Sequence, residues 1–295
     1  MTEIFGIPVQ AFMSQILIGL VNGSFYAILS LGLAIIFGLL NIVNFAHGTF
    51  YMMGAFGAWM LLNYAGINYW WSLLLAPIGV GIVGIFIEKT MLRWLYKLDH
   101  LYGLLLTFGL ALIIEGLYRQ GYGVSGQPLD PPALLKGATN LGFMFLPNYR
   151  AWVVVASLVV CFMTWYVIER TKLGAYIRAG TENAALTQAF GVNVPRMVTL
   201  TYAFGVALAA LAGVLASGVI QVNPLMGSNI IITVFAVVVI GGMGSILGSI
   251  ITGLGLGVIE GLTRVFYPEA SAVVVFVIMA IVLLVRPAGL FGKEK

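Results

Sequence analysis

Long apolar runs separated by short polar breaks fill this chain. They cover residues 11–40, 49–62, 72–87, 101–118, 151–168, 198–222, 229–262 and 271–285. A bilayer core about 30 Å thick needs roughly 20 apolar residues per helix, so the runs predict membrane-spanning helices. Two runs lack a simple length. Residues 49–62 are few, and 229–262 are too many for one upright crossing. The long run is punctuated by Gly241-Gly242-Met243-Gly244-Ser245 and reads as two pieces, 229–240 and 246–262. The expected fold class is an all-α polytopic transmembrane helical bundle, residues 1–295 forming one domain. It has about 8–9 membrane segments, one of them Gly-broken or re-entrant.

Charge sharpens this reading. Residues 4–87 and 197–259 contain no Asp, Glu, Lys or Arg, and water is not the solvent for such stretches. Across the chain 61% of residues are hydrophobic and 8% charged, against roughly 45–50% and about 25% in soluble domains. A soluble enzyme and a disordered chain are both excluded. The single cysteine, Cys161, excludes a disulfide framework and a thiolate metal site. Glycine is abundant, at 37 residues. In lipid, small residues let helices approach closely, and Gly breaks helices where backbone lines a cavity. That combination suggests a tightly packed transport bundle.

The surplus of Lys and Arg does not point to nucleic acid here; its placement reports orientation. Eight plain crossings divide the 14 basic residues eight to six, nearly without bias. With 229–262 counted as two passes or as a re-entrant hairpin, Lys89, Arg93, Lys97, Arg170, Lys172, Arg178, Arg196, Arg286, Lys293 and Lys295 share one side. Arg119, Lys136, Arg150 and Arg264 lie on the other. Basic residues collect on the cytoplasmic side, so the N-terminus is expected outside and the C-terminus inside.

Two loops stand out. Residues 119–148 hold four of the ten prolines and five glycines. This external (periplasmic) loop is expected to be mostly irregular, either a spacer or a docking surface for a soluble partner. The internal loop, 169–196, is expected to hold a short helix. Thr181 is placed as its cap, Glu182 in its first turn, where an acid suits the helix dipole. Gly191 ends it and Pro195 forbids simple continuation. Its faces are small and apolar and would pack poorly against water alone. A partner protein is the favoured cover, with folding back on the bundle as the alternative.

No motif for covalent chemistry appears. There is no phosphate loop ending in Gly-Lys-Ser/Thr, no Cys/His cluster and no His-Glu-x-x-His, so this chain is expected to bind no cofactor. Gly241, Gly242 and Gly244 fit a helix break rather than a phosphate cradle. Intramembrane ionisable residues are functional candidates by default. Glu115 and Arg119, and Glu260 and Arg264, lie four apart; an (i, i+4) acid–base pair neutralises itself locally, so both are read as structural ion pairs. No central carboxylate of the kind used by proton- or sodium-coupled carriers is apparent. The cluster 41–48, with Asn41, Asn44, His47 and Gly48, lies between a long and a short segment and is a candidate helix break. His47 is either a satisfied structural residue or a ligand. Asn22, Gly23 and Ser24 sit mid-span; they line a path or let another helix approach.

Six strings together resemble the permease subunit of ATP-driven branched-chain amino acid importers, the LivH type. They are Ile36-Phe37-Gly38, Val43-Asn44-Phe45-Ala46-His47-Gly48, Leu106-Thr107-Phe108-Gly109-Leu110, Gly174-Ala175-Tyr176-Ile177-Arg178-Ala179, Gly241-Gly242-Met243-Gly244-Ser245-Ile246-Leu247-Gly248 and Arg286-Pro287-Ala288-Gly289-Leu290-Phe291-Gly292. In this order they span nearly the whole chain. The resemblance implies a bacterial inner-membrane importer with four kinds of part: this permease, a second homologous permease, two cytoplasmic ATPase subunits that use the ATP, and a periplasmic substrate-binding protein. It implies that 182–190 is the coupling helix, with Arg178 and Glu182 at its rim. The wider importer pattern E-A-A…G is matched in part: Glu182 is followed by Asn183 before Ala184-Ala185, with Gly191 six residues on. Specificity is then expected mainly in the binding protein, above a weakly polar pore. The rival reading is a stand-alone secondary carrier or channel for small amides, urea or aromatic acids.

Overall fold

The computed structural model describes residues 3–4, 7–40, 44–96 and 98–292. Of the positions singled out above, Asn41, Val43, Lys97, Lys293 and Lys295 lie outside them. The long helices are α1 (Val9–Leu40), α2 (Ala46–Asn63), α3 (Tyr69–Ile87), α5 (His100–Tyr122), α6 (Asn148–Arg170), α9 (Val194–Ala216) and α11 (Ile246–Phe266). A π turn, Glu88–Leu92, carries α3 into the short α4 (Arg93–Leu95). Shorter helices are α7 (Lys172–Glu182), α8 (Ala184–Ala189), α10 (Met226–Gly241) and α12 (Val274–Val285). Six of these helices are long and apolar enough to cross a membrane, as expected of a polytopic bundle.

Small residues decide which helices sit at the centre. Gly19, Gly23 and Ala27 recur every four residues on α1, as do Gly253, Gly257 and Gly261 on α11. A Cβ on Gly257 would stand 2.3 Å from the Gly23 Cα, and one on Gly19 would stand 2.5 Å from the Gly257 carbonyl oxygen. The backbones therefore touch, and dispersion replaces side-chain interdigitation. Gly23 thus lies where α1 and α11 approach each other backbone to backbone. The same device joins α2 to α9, where Gly213 meets Tyr51 and Gly54 meets Ala210. As a result α1 and α9 are 78% and 72% buried over their apolar windows, whereas α5 is 11% buried. The first two form the core; α5 lies on the rim.

The run 229–262 divides as its glycines predict. Gly242 and Gly244 adopt φ of +99° and +85°, a region that only Gly visits readily. Ser245 then caps α11, its hydroxyl accepting from the Gly248 N–H at 3.1 Å. The two legs are antiparallel. Val222, just before α10, pairs with Gln127 of the long loop, and Phe266 at the end of α11 meets Phe12 at the start of α1. One face of the bundle thus gathers the 119–148 loop, Phe12 and Phe266. The opposite face gathers the break, α7 and α8, the π turn and residues 286–292. The described basic residues of the larger charge group fall on elements of that second face.

The 119–148 loop is pinned rather than loose. Strands β1 (Ala138–Asn140) and β2 (Phe145–Pro147) pair within it, and Leu129 is buried.

Candidate functional site

The segment between α6 and α9 makes an elbow. Thr171 leads into α7, and the Gly174 position lies directly over the Ile168 carbonyl, where no Cβ would fit. Arg178 donates to the Ile168 oxygen at 2.7 Å and pairs with Glu169 at 3.6 Å, fixing α7 against the end of α6. The helix boundary differs from the sequence expectation. Thr181 does not cap the second helix; its hydroxyl donates back to the Arg178 carbonyl at 2.7 Å, and Glu182 is the last residue of α7. Asn183 is the cap, its side chain accepting from the Leu186 N–H at 2.9 Å. The second helix of the loop is thus α8, Ala184–Ala189, beginning two residues later than the expected 182–190. Gly191 ends it with φ +86° and donates to Gln188 O at 2.9 Å.

Only Thr187 of α8 is buried. Leu186 is 55% and Phe190 79% exposed. A helix this short is not stable by itself in water, and two large apolar side chains stand at its surface.

The 44–48 segment lies inside the bundle. Asn44 donates through Nδ2 to the Tyr202 hydroxyl at 3.1 Å, while its Oδ1 has no partner among the described residues. The Phe45 N–H donates to the Thr107 hydroxyl at 3.2 Å. His47 is fully buried, with Nε2 3.0 Å from the Leu29 carbonyl. A carbonyl only accepts, so Nε2 donates and ties α2 to α1. Gly48 abuts Gly227 of α10 backbone to backbone. Asn22 is half-buried on α1.

Both predicted ion pairs form. Arg119 reaches Glu115 at 3.1 Å, and Ser228 of α10 donates to the other carboxylate oxygen. Arg264 bonds Glu260, which also accepts from the Tyr26 hydroxyl at 2.8 Å. No group of three or more His, Cys, Asp or Glu able to hold a metal occurs among the described residues.

Residues 15–284 match the family described as branched-chain amino acid transport system, permease component. The chain belongs to this permease family. The permease is 31% identical to the high-affinity branched-chain amino acid transport system permease protein LivH of Escherichia coli K12, covering 96% of each chain. It is also 31% identical to BraD of Pseudomonas aeruginosa, over 96% of this chain and 97% of that one. LivM of E. coli K12 is a more distant relative, 26% identical over 92% of this chain and 68% of its own. No solved structure matches.

The sequence reading of the permease missed Glu88. Its side chain is fully buried. It accepts from the Thr199 hydroxyl at 2.7 Å and the Tyr96 hydroxyl at 3.0 Å, and pairs with Arg93 at 3.4 Å. Burial first, then the charge and hydrogen bond of Glu88, push the Tyr96 phenol upward from its usual value. Glu88 and Arg93 lie five apart, the spacing that the π turn brings into register. The Arg93 N–H indeed bonds to the Glu88 carbonyl.

Proposed function

We propose that this chain is the membrane permease subunit of an ATP-driven importer that carries branched-chain amino acids across the bacterial inner membrane by alternating access. Family membership over 15–284 supports the transport role. The observation that carries the coupling role is the α7–α8 elbow, which projects Leu186 and Phe190 from the face holding most of the basic residues. That face is cytoplasmic in this reading, with the N-terminus outside. Two ATPase subunits cover α8 there and use the ATP. A second, homologous permease completes the membrane core. The pinned 119–148 loop receives a periplasmic binding protein.

Mechanically, α8 sits on α7, and α7 is tied to α6 through Arg178. Asn193 caps α9 by accepting from the Arg196 N–H at 3.1 Å, so displacement of α8 reaches the base of a core helix. Two states with differential contacts are the minimum such a switch requires. The test is reconstitution of the four kinds of subunit in liposomes. ATP-dependent accumulation of L-leucine supports the reading. Accumulation by the purified chain alone, driven by an ion gradient, overturns it in favour of a stand-alone carrier.

A further inference from the structure

Helices α2, α5 and α10, with Phe45 just before α2, line a half-open cavity of about 310 Å³ on the flank of the bundle. Phe45, Phe108, Leu112 and Ile231 give it apolar walls, and Glu115 and Ser228 are its polar lining together with Thr49. A volume at the lower end of small-ligand sites admits one small molecule and no peptide.

The polar lining is unusual for its position. Glu115 lies on the rim helix α5, where an ionised group is costly unless it is covered. Its carboxylate is held by Arg119 on the same helix and by Ser228 across the cavity wall. A carboxylate and a guanidinium 3.1 Å apart form the mirror image of an amino acid's ammonium and carboxylate. The pair is neutral overall, as a zwitterion is, so exchanging one set of partners for the other leaves no net charge in lipid. The apolar walls then match an uncharged, branched side chain.

We propose that Glu115 and Ser228 in the cavity lining, with Arg119 one turn further along α5 and paired to Glu115, form a substrate subsite on the membrane path, Glu115 taking the ammonium and Arg119 the carboxylate of an amino acid whose side chain packs against Phe108 and Leu112. This rests on the importer reading and departs from the expectation of a pore with no charged site. It also gives the Glu115–Arg119 pair a use beyond self-neutralisation.

The experiment uses the reconstituted complex with L-leucine. Glu115→Gln keeps the shape and removes the charge; loss of a charge-assisted hydrogen bond lowers leucine uptake about tenfold or more, while ATP hydrolysis stimulated by the binding protein persists. In a second variant, Leu112→Cys, a water-soluble thiol reagent modifies the new side chain and leucine slows that reaction. The native Cys161 is buried and contributes little background. Unchanged uptake by Glu115→Gln overturns the subsite, as does Cys labelling that is absent or indifferent to leucine. Should Glu115→Gln fail to assemble, the labelling result decides alone. A wild-type complex that accumulates no leucine with ATP sinks the importer reading itself; normal wild-type uptake with indifferent variants sinks only the subsite.

Discussion

The Thr199 hydroxyl donates to a wholly buried Glu88 across 2.7 Å. Thr199 lies near the start of α9 and Glu88 at the end of α3, so this bond joins two spans at the face from which α8 projects. A buried charge is tolerated only when hydrogen-bonded, and Tyr96 and Arg93 supply the remaining contacts.

Thr199→Val therefore deprives that charge of a donor while keeping the volume. We expect a loss of about 1–3 kcal/mol, read as a lower melting temperature of the detergent-purified complex. Thr199→Ser, which retains the hydroxyl, should melt near wild type. Equal melting of Val and wild type would remove the structural importance assigned to the bond.

Gly191→Val tests the elbow. A Cβ there meets nothing within 4 Å, so only the left-handed backbone resists, at about 1–2 kcal/mol. The end of α8 shifts without disturbing the bundle. The expected outcome is ATP hydrolysis with reduced leucine uptake in vesicles. Ala185→Asp, which places a charge on the exposed α8 face, should uncouple in the same sense.

The α1–α11 seam separates two glycines of one helix. Gly257→Leu places a side chain into the α1 backbone, whereas Gly255 has open space around it. The first variant should lose most of its monodisperse peak in size-exclusion chromatography, and Gly255→Leu should retain it. Similar profiles would contradict backbone contact along the seam.

The loop after α12 clasps the α10–α11 break. Leu290 and Phe291 donate backbone N–H groups to Ile240 at 2.8 Å and Gly241 at 3.1 Å. Gly289 has φ +80°, and a Cβ there would stand 2.6 Å from Gly242. Gly289→Ala should detach the clasp, seen as faster amide exchange at 290 and 291 with exchange in α1 unchanged.

Much of this arrangement is legible in the amino-acid sequence. The spans follow from apolar length, the break from three glycines in five residues, and the ion pairs from (i, i+4) spacing. Local competition obscured the α8 cap: the Thr181 hydroxyl bonds back into α7, leaving Asn183 to do the capping. Glu88 looked like the loop end of a span, because its burial depends on Thr199, 111 residues away. The cavity was equally hidden, since Ser228 reaches Glu115 across 113 residues of sequence. Spacing along one helix can be read; apposition between helices cannot.

The pairing of α1 with α11 also bears on how the protein is made. Helix α1 finds its most extensive partner in α11, so the more than 200 residues between them are synthesised before the seam closes. Until then Gly19 and Gly23 offer bare backbone to acyl chains, with nothing to grip. Biogenesis of this protein is thus a matter of waiting: one half of the tightest backbone contact is in place long before the other.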